Sequence, residues 1–347
     1  MHTLLPTAIV GSLPKPAWLA QPETLWSPWK LAGDQLIEGT HDALRLAVHE
    51  QHRGGIDIVS DGEQTRQHFV TTFIDHLDGV DFERRETVRI RDRYDASVPT
   101  VVGAVTRSAP VFADDARFLR QQTDRPIKWA LPGPMTMVDT LYDRHYKSRE
   151  KLAWEFATIL NQEAKDLEAA GVDIIQFDEP AFTVFFDEVR DWGVAALERA
   201  AEGLRAETAV HICYGYGITA NTEWKATLGS HWRQYEESFP LLQRSTIDIV
   251  SLECHHSHVP MELIGLIRGK KVMLGAIDVA DASIETPAEV AGTLRRALEF
   301  VDPAKLIPST NCGMAPLPRA TALDKLSALA AGAAIVRAEL TAVSPPR

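Results

Sequence analysis

The chain has 347 residues, 45% of them apolar and 24% charged, which is the composition of a globular protein with a sizeable core. Lys and Arg number 36 and Asp and Glu 48, so the formal net charge of −12 argues against nucleic acid or an anionic membrane surface as the main partner. No apolar run approaches the roughly 20 residues of a membrane-spanning helix, and residues 1–10 lack the basic start and apolar core of a signal peptide.

Eight short apolar runs predict β-strands that are buried on both faces, because their apolar residues are consecutive and do not alternate with polar ones. They are residues 7–10, 56–60, 127–131, 172–177, 209–213, 247–252, 271–274 and 306–308. Helical stripes lie between them, most clearly at 36–53, 148–170 and 287–300. Strands that alternate with helices predict a parallel α/β sheet, and eight units favour a single-domain (β/α)8 TIM barrel over residues 1–347.

Two segments do not fit a bare barrel. Residues 14–33 are rich in Trp and Pro and have no clear period, which predicts a long N-terminal loop. Residues 80–110 contain the alternation Val88-Arg89-Ile90-Arg91 and a second apolar run, which predict a β-hairpin or arm inserted after the second βα unit. As a hypothesis, this insertion is where a partner protein docks.

Polar residues follow the predicted strands at their carboxyl ends, where barrel enzymes carry their active sites. Gly11 and Ser12 follow the first strand, Glu63 the second and Asp178 the fourth, while Cys312 follows the eighth. Polar residues also follow strands in ordinary loops. That alternative does not account for all three cysteines and several acids falling at these ends, so we predict one shared site.

A metal site is predicted around His211 and Cys213, which are two positions apart on a strand and therefore share a face. Cys312 supplies a second thiolate from another strand end, and imidazole and thiolate are the usual ligands of Zn²⁺. The sixth strand offers Glu253 or Cys254 as a fourth ligand. These two neighbours face opposite ways, so the spacing leaves both open. Three cysteines are too few for a disulfide framework, and we expect reduced thiols and a cytoplasmic location.

The predicted ligand set suits sulfur chemistry. A substrate thiol that binds such a metal loses its proton, and the thiolate is the nucleophile. Two protein thiolates donate charge to the metal and weaken the Lewis acidity that a hydrolase needs. Alkyl transfer to a thiol is therefore favoured over hydrolysis.

A second group of residues is suited to an amino acid. The carboxylates of Glu63 and Asp178 can hold an ammonium group, and the backbone and hydroxyl of the Gly11–Ser12 turn can hold a carboxylate. The alternative is that Glu63 and Asp178 pair with basic side chains or cap helices. We interpret His255, His256 and His258 as exposed or supporting residues and not as metal ligands.

Six motifs in this order resemble the catalytic C-terminal domain of cobalamin-independent methionine synthase, over nearly the whole chain. They are Ile9-Val10-Gly11-Ser12-Leu13-Pro14, Asp61-Gly62-Glu63, Phe177-Asp178-Glu179-Pro180-Ala181, His211-Ile212-Cys213, Ser251-Leu252-Glu253 and Asn311-Cys312-Gly313. The resemblance implies a (β/α)8 barrel and a homocysteine methyltransferase with methionine as product. It implies zinc held by His211, Cys213, Glu253 and Cys312, and homocysteine held by Ser12, Glu63 and Asp178 with its thiolate on the zinc.

The chain departs from the long members of that family. It lacks their duplicated N-terminal barrel. The position of their proton-delivering histidine matches Ala280, and Gly133-Pro134 is not followed by the aromatic residue of folate users. In these respects the chain resembles the short "core" methionine synthases. We therefore expect that methylfolate is not used directly, and the donor is left open between a methyl-corrinoid, a partner protein and methylfolate.

Two alternatives to this function stand beside it. One is a zinc-dependent methyltransferase that acts on another thiol, such as coenzyme M, or exchanges methyl with a corrinoid protein. The other is a zinc-holding scaffold without catalysis. The sequence leaves open whether Arg66 or His68, which follow Glu63, contacts the substrate.

Overall fold

The computed structural model describes residues 3–343, in which nine strands form two sheets. In chain order they are β1 (Asp78–Ile90), β2 (Tyr94–Thr106), β3 (Lys128–Pro132), β4 (Tyr142–Asp143), β5 (Ile174–Asp178), β6 (Glu207–Ile212), β7 (Ile249–Glu253), β8 (Lys271–Ile277) and β9 (Leu306–Thr310). The main sheet has the order β3-β5-β6-β7-β8-β9, and each neighbouring pair is parallel. The predicted α/β fold with parallel strands is therefore confirmed.

The predicted strands 7–10 and 56–60 lie between β9 and β3 and pair through isolated bridges. Ala8 donates its N–H to the carbonyl of Pro308 (3.0 Å) and forms a parallel bridge with Ile58. Val59 forms a parallel bridge with Ile127, and its carbonyl accepts from the N–H of Lys128 (2.8 Å). Extended backbone thus connects the last strand of the sheet to the first. A buried apolar layer takes residues from these segments and from the sheet: Ala8, Ile58, Ile174, Ala209, Ile249, Met273 and Ile307.

Helices separate the parallel strands. They are α1 (Gly33–Arg53), α2 (Thr71–Ile74), α3 (Ala113–Gln121), α4 (Pro134–Asp139), α5 (Arg149–Ala169), α6 (Phe186–Glu188), α7 (Val194–Ala201), α8 (Thr219–Ala226), α9 (Tyr235–Arg244), α10 (Pro287–Ala297) and α11 (Arg319–Val343). α5 begins after Ser148, whose hydroxyl accepts from the N–H of Lys151, and it buries the predicted apolar stripe. α10 begins with a capping box of Thr286 and Glu289. The three predicted helices are confirmed, with ends shifted by a few residues.

The hairpin β1–β2 lies earlier in its βα unit than the sequence predicted. It spans Asp78–Thr106 and precedes α3, so it is part of the connection that leaves the carboxyl end of the 56–60 segment. The placement after the second unit was therefore wrong. α2 has only four residues, and the helix that follows the second strand is α3. The hairpin consequently starts from the end of the sheet where the predicted site residues lie.

Residues 14–33 form the predicted loop before α1, tied by an isolated bridge between Ala20 and Trp29. Leu19 and Ala20 pack with Ala43 in a small separate core, which fixes the loop against α1. Within residues 3–343, no helix is both long enough and apolar enough to cross a membrane.

Candidate active site

The carboxyl ends of the parallel strands surround a cavity of about 240 Å³. Most of the predicted site residues line it: Gly11, Ser12, Glu63, Asp178, His211, Cys213 and Cys312. They come from five separate strand ends, which parallel strands bring to the same edge. The hairpin β1–β2 and Trp26 of the 14–33 loop form part of the remaining wall.

Two thiols and an imidazole meet at the bottom of this cavity. The sulfur atoms of Cys213 and Cys312 are 3.2 Å apart, and a ligand atom of His211 lies with them inside a span of 4.8 Å. His211 Nδ1 is 2.7 Å from the hydroxyl of Ser251, whereas its buried Nε2 has no hydrogen-bond partner within residues 3–343. A buried imidazole nitrogen without a partner, next to two thiols, fits Zn²⁺, which prefers nitrogen and sulfur ligands.

The electrostatics of these three groups favour a thiolate. Hydrogen bonding from Cys312, together with the charge of His211, holds the pKa of Cys213 well below its usual range. Burial raises the pKa of Cys312, and the neighbouring Cys213 adds to this. Burial opposes the charged form of His211, but the adjacent Cys213 raises its pKa above the ordinary value. The pair of thiols thus carries one negative charge readily, which is the state that binds a metal.

Glu253 lies outside the group of three ligand atoms. Its Oε1 accepts from Lys225 Nζ (2.7 Å) and its Oε2 from the N–H of Tyr214 (3.1 Å), so both carboxylate oxygens are engaged. Cys254 is also outside the group, and burial raises the pKa of its thiol. Lys225 is on α8 and was not singled out in the sequence.

Glu63 and Asp178 are buried carboxylates that face the cavity. Burial raises the pKa of Glu63 to about 7, and the charge of Asp178 contributes. Burial also raises the pKa of Asp178, whose Oδ1 accepts from Gln176 Nε2 (2.7 Å). Within residues 3–343 the carboxylate of Glu63 has no hydrogen-bond partner. The charges of Arg66 and Lys15 lower the pKa of Glu63, and those of His211 and Lys128 lower the pKa of Asp178, but burial outweighs them. Two buried carboxylates that face one cavity are suited to an ammonium group.

The Gly11–Ser12 turn is shaped by its neighbours. The hydroxyl of Ser12 accepts from the N–H of Ala315 (3.3 Å), and the carbonyl of Ser12 accepts from the N–H of Met314 (2.8 Å). A Cβ on Gly313 would lie 2.3 Å from Ser12 Oγ, so only glycine fits there. The turn therefore depends on the chain that follows β9.

Arg66 supports the site and does not face the substrate cavity. It forms two hydrogen bonds of 2.9 Å with Asp61 and donates to the carbonyl of Ala130. His68 does line the cavity and stacks on Trp26 with the ring centroids 5.3 Å apart. Burial lowers the pKa of His68 to about 3, so this imidazole is neutral near pH 7.

The three histidines after β7 divide into two kinds. His256 and His258 are exposed, whereas His255 is buried and its Nδ1 lies 3.0 Å from the hydroxyl of Thr293. His255 and His256 form a second compact group with Glu285. The Glu285 carboxylate is paired with Lys325 at 2.9 and 3.0 Å, and this positive charge opposes a metal ion there.

Several residues at the cavity are not evident from the sequence. Arg91 and Arg93 come from the hairpin turn, and Tyr216 from the loop after β6. The alternation at 88–91 was recognised as a strand pattern, but no spacing rule connects that turn with the distant strand ends. These contacts depend on the three-dimensional placement of the hairpin.

Residues 5–334 match the family model described as the catalytic domain of cobalamin-independent synthase. The chain belongs to this family. The predicted family is thus confirmed, and with it the predicted class of enzyme, a methyltransferase. Methionine synthases of this kind include that of Sulfurisphaera tokodaii, which is 31% identical over 339 residues, or 97% of this chain and 94% of that protein. A methionine synthase from Saccharolobus islandicus is 32% identical over 341 residues, covering 97% and 96% of the two chains.

Solved structures also resemble the chain. A B12-independent methionine synthase from Shewanella sp. W3-18-1, in complex with selenomethionine, is 74% identical and superposes with a TM-score of 0.97 over 98% of this chain and 100% of that one. A methyltransferase from Methanosarcina mazei, 14% identical with a TM-score of 0.63, covers 98% of this chain and shares the fold.

Proposed function

We propose that this protein is a zinc-dependent S-methyltransferase that makes methionine from homocysteine. The observation that carries the proposal is one cavity that holds the His211, Cys213 and Cys312 ligand atoms together with the carboxylates of Glu63 and Asp178. Its support includes relatives of nearly equal length that are methionine synthases, and a 74% identical synthase solved with selenomethionine, the selenium analogue of methionine.

We also infer that the parallel strands close into a (β/α)8 barrel that forms one domain. The support is the pair of segments 7–10 and 56–60, which hydrogen-bond to β9 on one side and to β3 on the other. With them the ring has eight parallel members, as in a TIM barrel.

The proposed zinc ligands are His211, Cys213, Cys312 and Glu253. Zinc bound by these residues would lower the pKa of a substrate thiol and so supply the nucleophilic sulfur. To bind zinc, the Glu253 carboxylate would have to leave Lys225. Lys225 would hold this carboxylate whenever Glu253 is not a zinc ligand. Ser251 orients His211 through Nδ1 and leaves Nε2 for the metal.

The amino-acid end of homocysteine would lie at the other side of the cavity. Glu63 and Asp178 accept hydrogen bonds from its ammonium group, and the Gly11–Ser12 turn donates to its carboxylate. These contacts leave the thiol directed at Cys213 and Cys312. The homocysteine sulfur forms a bond to the methyl carbon while the bond between that carbon and the donor breaks, and its electron pair leaves with the donor.

The donor is proposed not to be methylfolate acting directly. Ala280 carries no proton for an amine leaving group, and its N–H bonds to Asp278 Oδ1 at 2.8 Å. A methyl-corrinoid or a partner protein is therefore favoured as the donor. Turnover with methylcobalamin would support this proposal, and turnover with 5-methyltetrahydrofolate alone would show that methylfolate is the donor after all.

The decisive experiment is X-ray absorption at the zinc edge of zinc-loaded protein, before and after addition of homocysteine. The proposal predicts one additional sulfur neighbour around zinc, whereas an unchanged spectrum would identify a scaffold without catalysis. Calorimetry with 4-mercaptobutyrate, which lacks the amino group, is the companion test. Equal affinities for the two thiols would favour a methyltransferase that acts on another thiol.

A further inference from the structure

The hairpin turn between β1 and β2 places two buried arginines in the wall of the active-site cavity. Arg91 and Arg93 both line the cavity, and each is only 8% exposed. Removing a guanidinium group from water costs free energy unless negative charge or hydrogen bonds compensate for it. The partners of each guanidinium therefore indicate whether the protein itself supplies that compensation.

Arg93 is held in place by neutral partners. Its Nη1 donates to the carbonyl of Tyr214 (3.0 Å) and to Asn221 Oδ1 (3.3 Å), and its Nη2 donates to Thr183 Oγ1 (3.2 Å). The guanidinium carbon stacks 3.7 Å from the ring centroid of Trp224. These contacts orient the side chain but leave its charge without a paired carboxylate in the described part of the chain.

Arg91 has donors that the described residues do not use. Its Nη1 forms a buried ion pair with Asp139, whose Oδ2 is 3.6 Å away and therefore beyond hydrogen-bond distance. Both Nη1 and Nε are buried without a hydrogen-bond partner within residues 3–343. The backbone of Arg91 (φ 46°) and of Asp92 (φ 55°) is in the left-handed region, which is unfavourable for residues other than glycine. The turn thus keeps Arg91 at the cavity at some conformational cost.

This wall of the cavity has more arginines than carboxylates: Asp139 pairs with Arg91, whereas Arg93 has no carboxylate partner within residues 3–343. Arg85 also lines it, and the hydrogen bonds of its guanidinium are to the backbone carbonyls of Phe82 and Ser97. Burial, and then the charge of Arg91, lower the pKa of Arg93 to about 10, so the two guanidinium groups repel each other. An anion between the two guanidinium groups would relieve this repulsion.

The geometry points to a second anion site, separate from the Gly11–Ser12 turn assigned to the homocysteine carboxylate. We propose that Arg91 and Arg93 bind a carboxylate or phosphate group of the methyl donor; this inference rests on the proposed function and extends it. Guanidinium groups match both anions because they donate two parallel hydrogen bonds. The same cavity contains the thiols of Cys213 and Cys312, so a donor anchored at the turn extends across it toward the sulfur.

The test is calorimetry on zinc-loaded protein with homocysteine present, using glutarate, pyrophosphate and 5-methyltetrahydrofolate as probes. The variant is Arg91→Gln. The matched control is Arg89→Gln, which removes the same charge from an exposed arginine of the same hairpin whose Nη1 lies 3.4 Å from Asp95. We expect at least one probe to bind the wild type, with affinity reduced about tenfold or more in Arg91→Gln and within about twofold of wild type in Arg89→Gln.

The probes distinguish the two sources of negative charge. Binding of glutarate and methyltetrahydrofolate identifies a carboxylate site, and binding of pyrophosphate alone identifies a phosphate site. If no probe binds the wild type, or if Arg91→Gln binds as tightly as wild type, the proposal is wrong. Homocysteine is titrated separately: if the wild type fails to bind it, the proposed function fails, and the anion site then cannot be assigned to a methyl donor.

Discussion

Gly11 packs directly against Glu63, so that a Cβ at position 11 would lie 2.5 Å from Glu63 Oε1. This distance is shorter than any normal van der Waals contact. The side chain of Glu63 is itself on a backbone with φ 57°, in the left-handed region. The position of this carboxylate therefore depends on glycine at residue 11.

The first prediction is that Gly11→Ala displaces the Glu63 carboxylate and weakens homocysteine binding by about tenfold, while zinc binding is unchanged. The loss corresponds to one charge-assisted hydrogen bond. Calorimetry gives the homocysteine affinity, and metal analysis gives the zinc content. Gly265→Ala is the matched control, because a Cβ there meets no atom within 4 Å. Unchanged homocysteine affinity in Gly11→Ala would contradict the role given to Glu63.

The second prediction concerns pH. Because burial raises the pKa of Glu63 to about 7, the free protein must ionise this group before it holds an ammonium. Methionine is the useful ligand, since it has the amino group but no thiol to titrate. We expect its affinity to rise about tenfold between pH 6 and pH 8 and then to level off. Glu63→Gln should bind methionine more weakly and without this rise.

A stability measurement checks the same pKa independently. The folded pKa of about 7 is above the ordinary 4.5, so the stability contributed by protonated Glu63 is present below pH 4.5 and is lost as pH rises through about 7. The melting temperature of metal-free Glu63→Gln should therefore exceed that of wild type at pH 8, with the difference shrinking toward pH 4.5. A difference that does not change with pH would mean that Glu63 ionises normally.

The third prediction separates the cysteines. Cys312→Ala should lose bound zinc and all activity, because it removes one of two thiols that lie 3.2 Å apart. Cys254→Ala should keep both, since this buried thiol lies outside the His211, Cys213 and Cys312 group. Zinc analysis after dialysis against a chelator is the measurement. Retention of zinc and activity by Cys312→Ala would overturn the ligand assignment.

The fourth prediction concerns the ion pair beneath the site. Asp61 and Arg66 are 2% and 1% exposed and share two hydrogen bonds, so Arg66→Met leaves a buried carboxylate unpaired. The expected loss is about 3–5 kcal/mol in the free energy of unfolding. Arg45→Met, which breaks the exposed pair with Asp42, should cost at most about 1 kcal/mol. Urea unfolding followed by circular dichroism gives both values. Equal losses would show that the buried Asp61–Arg66 pair matters no more for stability than the exposed Arg45–Asp42 pair.

The apolar runs predicted the strand positions well because strands buried on both faces must be apolar at consecutive residues. The segments 7–10 and 56–60 were found by the same pattern, although they pair only through isolated bridges. Glu63, Asp178, His211, Cys213 and Cys312 line one cavity, because parallel strands present their carboxyl ends at one edge. Their roles in binding stay predictions.

The sequence did not reveal contacts between residues that are far apart in the chain, or contacts that depend on the orientation of a side chain. The position of Glu253 depends on Lys225, which belongs to α8 and has no fixed spacing from β7. Arg91 and Arg93 reach the cavity only because the hairpin leaves from the carboxyl end of its strand. His255 was expected to be exposed or supporting, and it is buried because Thr293 and Asn311 hold its ring and its carbonyl.

The bonds between Ser12 and the chain after β9 have a consequence for synthesis on the ribosome. Ser12 is made long before Met314 and Ala315, whose N–H groups donate to its carbonyl and hydroxyl. Cys312 is made just before them. A nascent chain that stops before residue 312 therefore has the carboxylates of Glu63 and Asp178. It lacks the Cys312 thiol and the hydrogen bonds that hold the Gly11–Ser12 turn. The proposed substrate and metal sites are therefore complete only after the ribosome has passed residue 315.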